Sequence, residues 1–330
     1  DRFFVAVGDV AADPNSLAAR EVLLGRADDL VTRAKSLQGS LDRLGGELDE
    51  RMVASVDEAN GLLRQLADLN QRVLQASPGG TADLLDRRDQ LLEQLASKIG
   101  VRTAVQDGQQ LNIYSADGHA LLLGGTVSPL SLVTNPSDPT TLQLAVGEGD
   151  GSVRIATPSG GDLGGLFQAR DSVLRPARAE LNSIVGSLAT AVNDQLAAGV
   201  DLNGNPGAPL FTLGAGPQVI SGLSLGGLTA RDIAAAGPGQ VGVVGSTDNS
   251  NANALAALAK TAITANGRSA GAAYTDLVAR VGVQSQQATS GLEAFDRMQS
   301  QNRDARDAVA GVNLDEEAAN LLRLQQAFQA

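Results

Sequence analysis

A group of acidic side chains that follows a Pro/Gly break in the chain has the residue types for chemistry. Carboxylates at helical spacing can exchange protons in acid/base catalysis or hold a divalent cation. Arg87 and Arg88 lie among these acids, however, and acids in the first turns of a helix are favoured by the helix dipole. The sequence therefore predicts a solvated charged helix face. The acids are Asp83, Asp86, Asp89 and Glu93.

Two glycine-containing segments resemble ligand-binding loops. The run 201–205 begins like an EF-hand calcium loop, but position six is Pro206 instead of Gly and position twelve is Thr212 instead of Glu. We expect a Gly/Asn turn there. The run 237–242 formally matches the dinucleotide-binding fingerprint, yet it does not lie between a clear strand and a helix. In a chain with 38 glycines we attribute that match to chance.

Cysteine and histidine usage removes much of enzyme chemistry. The chain has no cysteine and one histidine, His119, so it offers no disulfide, no thiolate ligand and no His-based zinc site from one protomer. We expect His119 to be a solvated turn residue. The sequence thus predicts a protein that is not an enzyme and has no cofactor. A carboxylate-pair hydrolase remains as an enzyme hypothesis without a supporting motif.

Charge and hydropathy restrict the partners. With 25 Lys and Arg against 37 Asp and Glu, the net charge is −12 and the pI is about 4.5, which argues against nucleic acid and anionic membrane surfaces. The apolar runs are only a few residues long, whereas a membrane span needs about 20 residues. We therefore expect a soluble protein that binds neither nucleic acid nor membrane.

Long helical patterns begin the chain. Phe3, Val7 and Val10 have helical spacing, and a second helix is predicted from Asn15 to about residue 76, with a plausible bend at 45–46. About 60 residues at roughly 1.5 Å each would form a rod of about 90 Å, which cannot bury its apolar seam alone. The seam positions are Leu23, Ala27, Leu30, Ala34, Leu37, Leu41, Leu44, Leu48, Met52, Val56, Ala59, Leu63, Leu66 and Val73.

The middle of the chain changes period. Thr81 can cap a helix over 82–99, and Gly100 suits the left-handed residue that closes it. Residues 101–158 alternate as antiparallel strands, with a hairpin signal at 107–108. A helix is predicted over 166–196.

The rest of the chain returns to helix after an irregular stretch. Pro176 kinks or restarts the helix that precedes this stretch. The run 199–249 is rich in Gly and Pro and predicts loops with short strands such as 241–244. Helices over 253–265 and from Tyr274 to Val309 follow.

These elements predict an α+β fold: an elongated, antiparallel bundle of long N- and C-terminal helices with a β-rich middle domain. The predicted helical bundle comprises residues 1–100, 162–200 and 250–330. The predicted β-rich outer domain comprises residues 101–161 and 201–249.

The segment 311–323, followed by 325–330, resembles the C-terminal signature of bacterial flagellar axial proteins, and among them the family of hook-associated protein 1 (FlgK). The segment also has a physical interpretation, because Asn313 can cap a helix and Glu316 can complete a capping box. Apolar residues recur there at seven-residue spacing, namely Leu314, Leu321 and Phe328.

Four further blocks are similar to the same family and occur in the family's order. The match therefore spans nearly the whole chain. Compared with the family, the resemblance implies a compact outer region and a chain without the family's extreme terminal helices. The blocks are Phe3–Phe4 with 15–20, 83–92, 165–178 and 201–207.

The resemblance implies a structural role and no catalytic residue. Such proteins form a ring that joins hook to filament, are extracellular, and are exported unfolded through the flagellar type III secretion apparatus. In the family's terms, the helical bundle corresponds to the D1 domain and the β-rich part to D2. The implied packing positions are Asn313, Leu314, Asp315, Glu316, Glu317, Leu321, Leu322 and Phe328, with Phe3 and Phe4 packed near them.

The resemblance also implies partners. These are the hook protein, hook-associated protein 3, copies of the chain in the axial ring, and an export chaperone that would bind the missing C-terminal region. This chain by itself is expected to be monomeric in solution. Hook-associated protein 3 or a flagellin-like relative is the alternative within the class, and a coiled-coil scaffold unrelated to flagella is the alternative outside it.

Overall fold

The computed structural model describes residues 2–76, 81–106, 109–149, 151–216 and 218–310, together with 319, 322–326 and 328. The chain forms two compact units, Asp1–Thr275 and Asp276–Ala330. The hairpin signal at 107–108 lies outside the described residues.

Two N-terminal helices follow the predicted pattern. The first ends before Asp13–Asn15, and Ser16 then caps the second by accepting a hydrogen bond from the backbone N–H of Ala19 at 3.2 Å. The second helix runs for 59 residues and is not interrupted at the predicted bend, 45–46. The helices are α1 (Arg2–Ala12), α2 (Leu17–Gln75), α3 (Ala82–Lys98), α4 (Gly161–Gln168), α5 (Arg175–Ala197), α6 (Ser250–Ala257) and α7 (Ala270–Ala310).

Within the described ranges, short antiparallel strands form three separate sheets, with orders β1-β2-β3-β4, β5-β6-β7 and β8-β9. In the first sheet Thr103 pairs with Ile113, and in the second Leu132 pairs with Leu144. The strands are β1 (Val101–Val105), β2 (Leu111–Ser115), β3 (Ala120–Leu123), β4 (Thr126–Val127), β5 (Leu130–Asn135), β6 (Asp138–Gly147), β7 (Val153–Ile155), β8 (Phe211–Thr212) and β9 (Ser224–Leu225).

The C-terminal half of α2 organises the main core. Its apolar stripe packs against α3, α4 and the inner faces of the first two sheets, because removing that stripe from water lowers the free energy. The side chains in this cluster that are almost wholly buried include Met52, Leu63, Leu66, Leu95, Ile99, Ile113, Leu121, Leu122, Leu144 and Leu163.

The predicted seam of α2 is therefore confirmed in its second half and only partly in its first. Leu23, Ala27 and Ala34 are buried, whereas Leu44 is 45% exposed. Leu30, Leu37, Leu41 and Leu48 are half-buried. The buried stripe of this half also includes Val31 and Gln38, which were not in the predicted seam.

Three local predictions were wrong. Gly100 does not have a left-handed backbone. The position requires glycine because a Cβ there would lie 2.0 Å from the carbonyl oxygen of Ser159. Residues 241–244 form turns and not a strand, and the strands of that region are β8 and β9. Thr81 precedes α3 without a side-chain capping bond.

The predicted irregularity near Pro176 is real. A π-helical segment, Ala169–Leu174, joins α4 to α5, and Pro176, which has no backbone N–H to donate, lies in the first turn of α5 directly after it. The predicted helix over 253–265 is the shorter α6.

The α+β class, with long helices at both ends and antiparallel strands between them, is confirmed. The division into a helical bundle and an outer domain containing 201–249 stays a prediction, as does a bundle shared with the residues after Thr275. None of the helices within the described ranges is long and apolar enough to cross a membrane.

We expect Leu63→Ala to lower the free energy of unfolding by about 2–5 kcal/mol, because it opens a cavity under the first two sheets. Leu74→Ala on the same helix is the matched control, since Leu74 is 52% exposed. Chemical denaturation of both variants measures the difference. Equal losses in the two variants would contradict the assignment of the core.

Candidate assembly surface and its supports

Asparagine side chains on helices hold the ends of strands. The Asn70 side chain donates to the carbonyl oxygen of Leu111 at 2.7 Å and accepts from the Leu111 N–H at 3.1 Å. The Asn60 side chain makes the same pair of bonds with Leu130, at 2.9 and 2.8 Å. Each amide therefore acts towards the first residue of a strand as a neighbouring strand would, and we call this arrangement an asparagine clamp.

A third asparagine clamp holds the 199–249 region to α5. Asn193 donates to the carbonyl oxygen of Phe211 at 2.7 Å and accepts from its N–H at 2.9 Å. Nearby, the Asn182 carbonyl accepts from the Ile220 N–H at 3.0 Å, and its amide donates to Gln38 of α2 at 2.9 Å. The irregular segment is thus attached to the helices at several points.

A buried arginine makes the corresponding attachment to α2. The Arg20 guanidinium is 1% exposed and donates to three backbone carbonyls, those of Pro14 at 2.8 Å, Ala230 at 3.3 Å and Ile233. Burial lowers the pKa of Arg20 to about 10, opposed by the charge of Asp201, so the group remains protonated at neutral pH. Arg20 is the last residue of the 15–20 block that resembles the family. In the structure its side chain holds the backbone of Ala230 and Ile233 against α2.

The π-helical segment places a second buried arginine against α2. Arg170 lies over the Phe167 ring at 4.7 Å, pairs with Asp171 at 2.9 Å and approaches Asp49 at 4.0 Å. Partial burial raises the pKa of Asp49 in spite of the positive charge of Arg170. From α5, Arg175 pairs with Asp138 of β6 at 2.7 Å. The segment between α4 and α5 is therefore tied to both α2 and the second sheet.

The acidic group of α3 and the two glycine-containing segments have the structures that the sequence predicted. The four acids of α3 are exposed, as expected of a solvated face. The Asp201 carboxylate accepts from the backbone N–H groups of Asn203 and Asn205, both at 2.8 Å, so the loop that resembles a calcium site is a turn held by its own side chain. The 237–242 run contains a 3₁₀ turn and lies in no strand–helix unit.

His119 has neighbours that the sequence did not reveal. Its Nε2 lies 3.5 Å from Asp117, and the same carboxylate accepts from the Ser115 hydroxyl and from the Thr157 N–H. Partial burial alone would raise the pKa of Asp117, but these hydrogen bonds and His119 lower it. The Ser115 hydroxyl donates to the carboxylate and not to the imidazole, so Ser115, Asp117 and His119 do not form a Ser–His pair. The group closes the β2–β3 turn.

No cluster of three or more potential metal-binding side chains occurs among the residues that the structure describes. The asparagine and arginine side chains described above bind backbone groups and neighbouring side chains, whereas Asp49 Oδ1 is buried without a hydrogen-bond partner in the described part of the chain.

The predicted packing positions separate into two sets. Phe3 is 4% exposed and lies edge-to-face with Phe4 and against Phe211, at 5.2 and 6.2 Å between ring centroids. Leu322 and Phe328 are exposed at 59% and 94%. Asn313, Leu314, Asp315, Glu316, Glu317 and Leu321 lie outside the described residues, so the packing of Phe3 and Phe4 near this segment stays a prediction.

Comparison with known proteins decides the family. Residues 1–211 match the family model described as the flagellar hook-associated protein FlgK helical domain. The chain belongs to the FlgK family. The matched residues include α1, α2, the first two sheets and the Asn60, Asn70 and Asn193 clamps.

Individual relatives agree with this family. The chain is 33% identical over 226 residues to flagellar hook-associated protein 1 of Salmonella typhimurium, covering 66% of this chain and 41% of that protein. It is 23% identical over 363 aligned positions to flagellar hook-associated protein 1 of Bacillus subtilis, covering 99% of this chain and 71% of that protein. The chain therefore spans about two fifths of the enterobacterial relative.

A solved structure supports the fold. The flagellar hook junction protein FlgK from Burkholderia pseudomallei superposes with a TM-score of 0.85 at 18% identity, covering 92% of each chain. At this identity the likeness concerns the fold alone.

Sequence reasoning missed the clamps and the buried arginine, although both left a signal in this FlgK-family chain. Asn70 lies four positions after Leu66 and three positions before Val73, where the seam pattern calls for an apolar residue. Arg20 lies three positions before Leu23. A polar residue at a seam position predicts a buried polar group with a partner, because an unpaired one would be costly.

We expect Asn70→Asp to lower the free energy of unfolding by about 2–3 kcal/mol, because a carboxylate cannot donate to the carbonyls of Leu111 and Gly124. Asn253→Asp is the control, since Asn253 is exposed on α6. An Asp carboxylate still accepts from the Leu111 N–H, so the hydrogen-exchange test uses Asn70→Leu, which removes that acceptor and should speed amide exchange at Leu111. Unchanged protection of Leu111 would rule out the clamp.

Arg20→Met should lower the free energy of unfolding by about 2–3 kcal/mol, because the aliphatic stem is kept while the buried carbonyls of Ala230 and Ile233 lose their donor. Arg64→Met, at an exposed position on α2, should change it by less than about 0.5 kcal/mol. Limited proteolysis tests whether cleavage within 229–236 increases in the Arg20 variant. Equal stability and equal cleavage in the two variants would argue that the guanidinium does not hold this segment.

Proposed function

We propose that the chain is a structural component of the bacterial flagellum that assembles as a ring between hook and filament. The observation that supports this most is the match of residues 1–211, with α2 and the clamped sheets, to the helical domain of FlgK. The names of the relatives, hook-associated protein and hook junction protein, describe the same role in other bacteria.

The architecture suits a load-bearing role and not catalysis. The long helix α2 is joined to three separate sheets or loops by side-chain bonds to backbone. The buried Arg20 of α2 binds carbonyls, and the buried Arg170 of the π-helical segment binds a carboxylate. Such bonds resist displacement of one element along another, which a subunit in a rotating axial structure requires. We infer that the protein is not an enzyme.

The proposed partners are the hook protein on one side, hook-associated protein 3 on the other, and neighbouring copies within the ring. The proposed route is export through the flagellar type III apparatus to an extracellular position, with a chaperone for the C-terminal region. The absence of cysteine in the chain suits a polypeptide that passes through a channel unfolded.

Deleting the gene should leave hooks without filaments and release flagellin into the medium, because filament subunits would have no junction on which to assemble. Electron microscopy of purified hook–basal bodies and immunoblots of culture supernatant measure the two effects. The wild-type gene supplied in trans is the control for polar effects and should restore filaments.

The outcome also separates the alternatives. Normal filaments in the deletion strain would refute the junction role. If the hooks of the deletion strain still carried the other hook-associated proteins at their ends, this chain would have a different position in the axis.

A further inference from the structure

The middle of α2 contains a stretch in which no side chain is buried. The helix is buried at Gln38, which is 8% exposed, and again at Met52, which is 0% exposed, but every residue of 39–51 is half-buried or exposed. This stretch covers about 20 Å of helix axis. Because tertiary packing supplies most of the stability of a helix in a protein, α2 is held here mainly by its own backbone hydrogen bonds. We call 39–51 the bridge segment.

Two consecutive glycines, Gly45 and Gly46, lie at the centre of the bridge segment. Packing requires neither of them. Within the described chain, a Cβ at Gly46 would meet no atom within 4 Å, and a Cβ at Gly45 would meet only Leu174, at an ordinary contact distance of 3.6 Å. Neither glycine has a left-handed backbone. Glycine is the poorest helix former after proline and glycine pairs favour kinks, so α2 bends most easily at this point.

The helical connection beside the bridge segment is irregular at the same level. The π-helical segment Ala169–Leu174, between α4 and α5, ends at the Leu174 whose side chain lies next to Gly45. A π-helical turn interrupts the regular i→i−4 ladder, and such turns are, like glycine pairs, among the few causes of sharp helix bends. These two helical connections therefore have their weak points side by side.

Different elements pack on the two sides of the bridge segment. After it, α2 packs with α3, α4 and the first two sheets, and the buried members of this cluster begin at Met52 and end at Phe167. Before it, α2 contacts α1 and α5, and α6 contacts both of these helices. The unit Asp1–Thr275 thus consists of two packed parts that α2 and the π-helical segment connect.

The space between the two parts is incompletely filled. A cavity of about 390 Å³ lies at the level of the bridge segment, and its lining includes Thr140 of β6, from the part after the bridge, and Gln218, from the part before it. Two ion pairs cross this level, Arg178–Asp42 and Arg175–Asp138. Their side chains are between 32% and 46% exposed, and pairs that solvent reaches to this extent resist movement only weakly.

Asp49 of the bridge segment has an incomplete ion pair beside this cavity. Its Oδ1 is buried and has no hydrogen-bond partner among the described residues, and the Nη1 of Arg170 lies 4.0 Å away. Arg170 uses Nε and Nη2 for Asp171, at 2.9 and 3.0 Å, so its Nη1 contacts only the sulfur of Met52, at 3.9 Å. An approach of about 1 Å would form a charge-assisted hydrogen bond to an oxygen that is otherwise unpaired.

We propose that the bridge segment and the π-helical segment together form a hinge at which the two packed parts of Asp1–Thr275 bend relative to each other. Bending opens and closes the cavity, and the closed form pairs Asp49 with Arg170. Such a hinge lets the unit change its curvature without opening either packed part. The proposal rests on these contacts and not on the proposed function.

Distances between two spin labels across the cavity test the hinge. The chain has no cysteine, so Ser137→Cys/Ser221→Cys places one label next to Asp138 of β6 and one next to Gln218, both at exposed positions. Double electron–electron resonance on the purified chain should give a broad distance distribution. Adding Gly45→Ala/Gly46→Ala should narrow it by at least about a third, because alanine favours the straight helix and both Cβ atoms fit.

The matched control is Gly25→Ala/Gly61→Ala. It removes two glycines of α2 outside the bridge segment, where a Cβ would also meet no described atom within 4 Å, and should leave the distribution unchanged. An equal width with and without Gly45→Ala/Gly46→Ala, or equal narrowing by the control, would overturn the proposal.

Amide hydrogen exchange gives an independent measurement on the same chain. Peptides covering 42–50 should exchange at least about tenfold faster than peptides covering 24–34 or 62–72, because local opening is easiest where the fewest side chains are buried. Gly45→Ala/Gly46→Ala should slow exchange in 42–50 by about tenfold and leave the flanking peptides unchanged. Equal protection along the whole of α2 would contradict the hinge.

The direction of bending is tested with Asp49→Ala in the spin-labelled chain. Removing the carboxylate removes the pair that the closed form gains, so the shorter distances should lose population. Unchanged populations would refute the pairing of Asp49 with Arg170 in the closed form.

Discussion

Backbone groups at the ends of short strands need hydrogen-bond partners, and much of this fold depends on how they find them. Leu111, Leu130 and Phe211 are each the first residue of a strand, and each is bound through both its N–H and its C=O by one asparagine side chain. Small sheets of two to four strands have many unpaired edge groups. The clamps fix where these strands begin, and therefore which side chains face the helix.

The long helix also sets the distance between the two larger sheets. Asn60 and Asn70 are ten positions apart on α2, which corresponds to about 15 Å along the axis and about 80° around it. The beginnings of β5 and β2 therefore contact adjacent faces of one rigid rod at a defined separation. Because the rod is continuous from Leu17 to Gln75, one element holds both of the first two sheets.

The parts of this fold that could be predicted from the sequence are those determined by residues close together along the chain. The seam from Met52 to Val73 and the start of α2 close to Asn15 were predicted because periodicity and helix-start signals are local. The role of Gly100 was predicted wrongly, because the constraint is the carbonyl of Ser159, far along the chain. The packing of 199–249 depends on Arg20 and Asn193, and nothing within that segment indicates either partner.

The two halves of α2 differ in how much of their apolar surface the described chain leaves uncovered. From Met52 onward the apolar stripe is covered by α3, α4 and the sheets, so that half is saturated by its own chain. Between Leu30 and Leu48 four of the seam leucines stay half-buried and Leu44 is exposed, while the polar pair Gln38–Asn182 replaces apolar contact with α5. Apolar area that a fold leaves uncovered is available for association, because its burial still lowers the free energy. Within the unit Asp1–Thr275, the first half of α2 therefore keeps apolar area that this unit does not cover, and the second half is fully packed against the sheets.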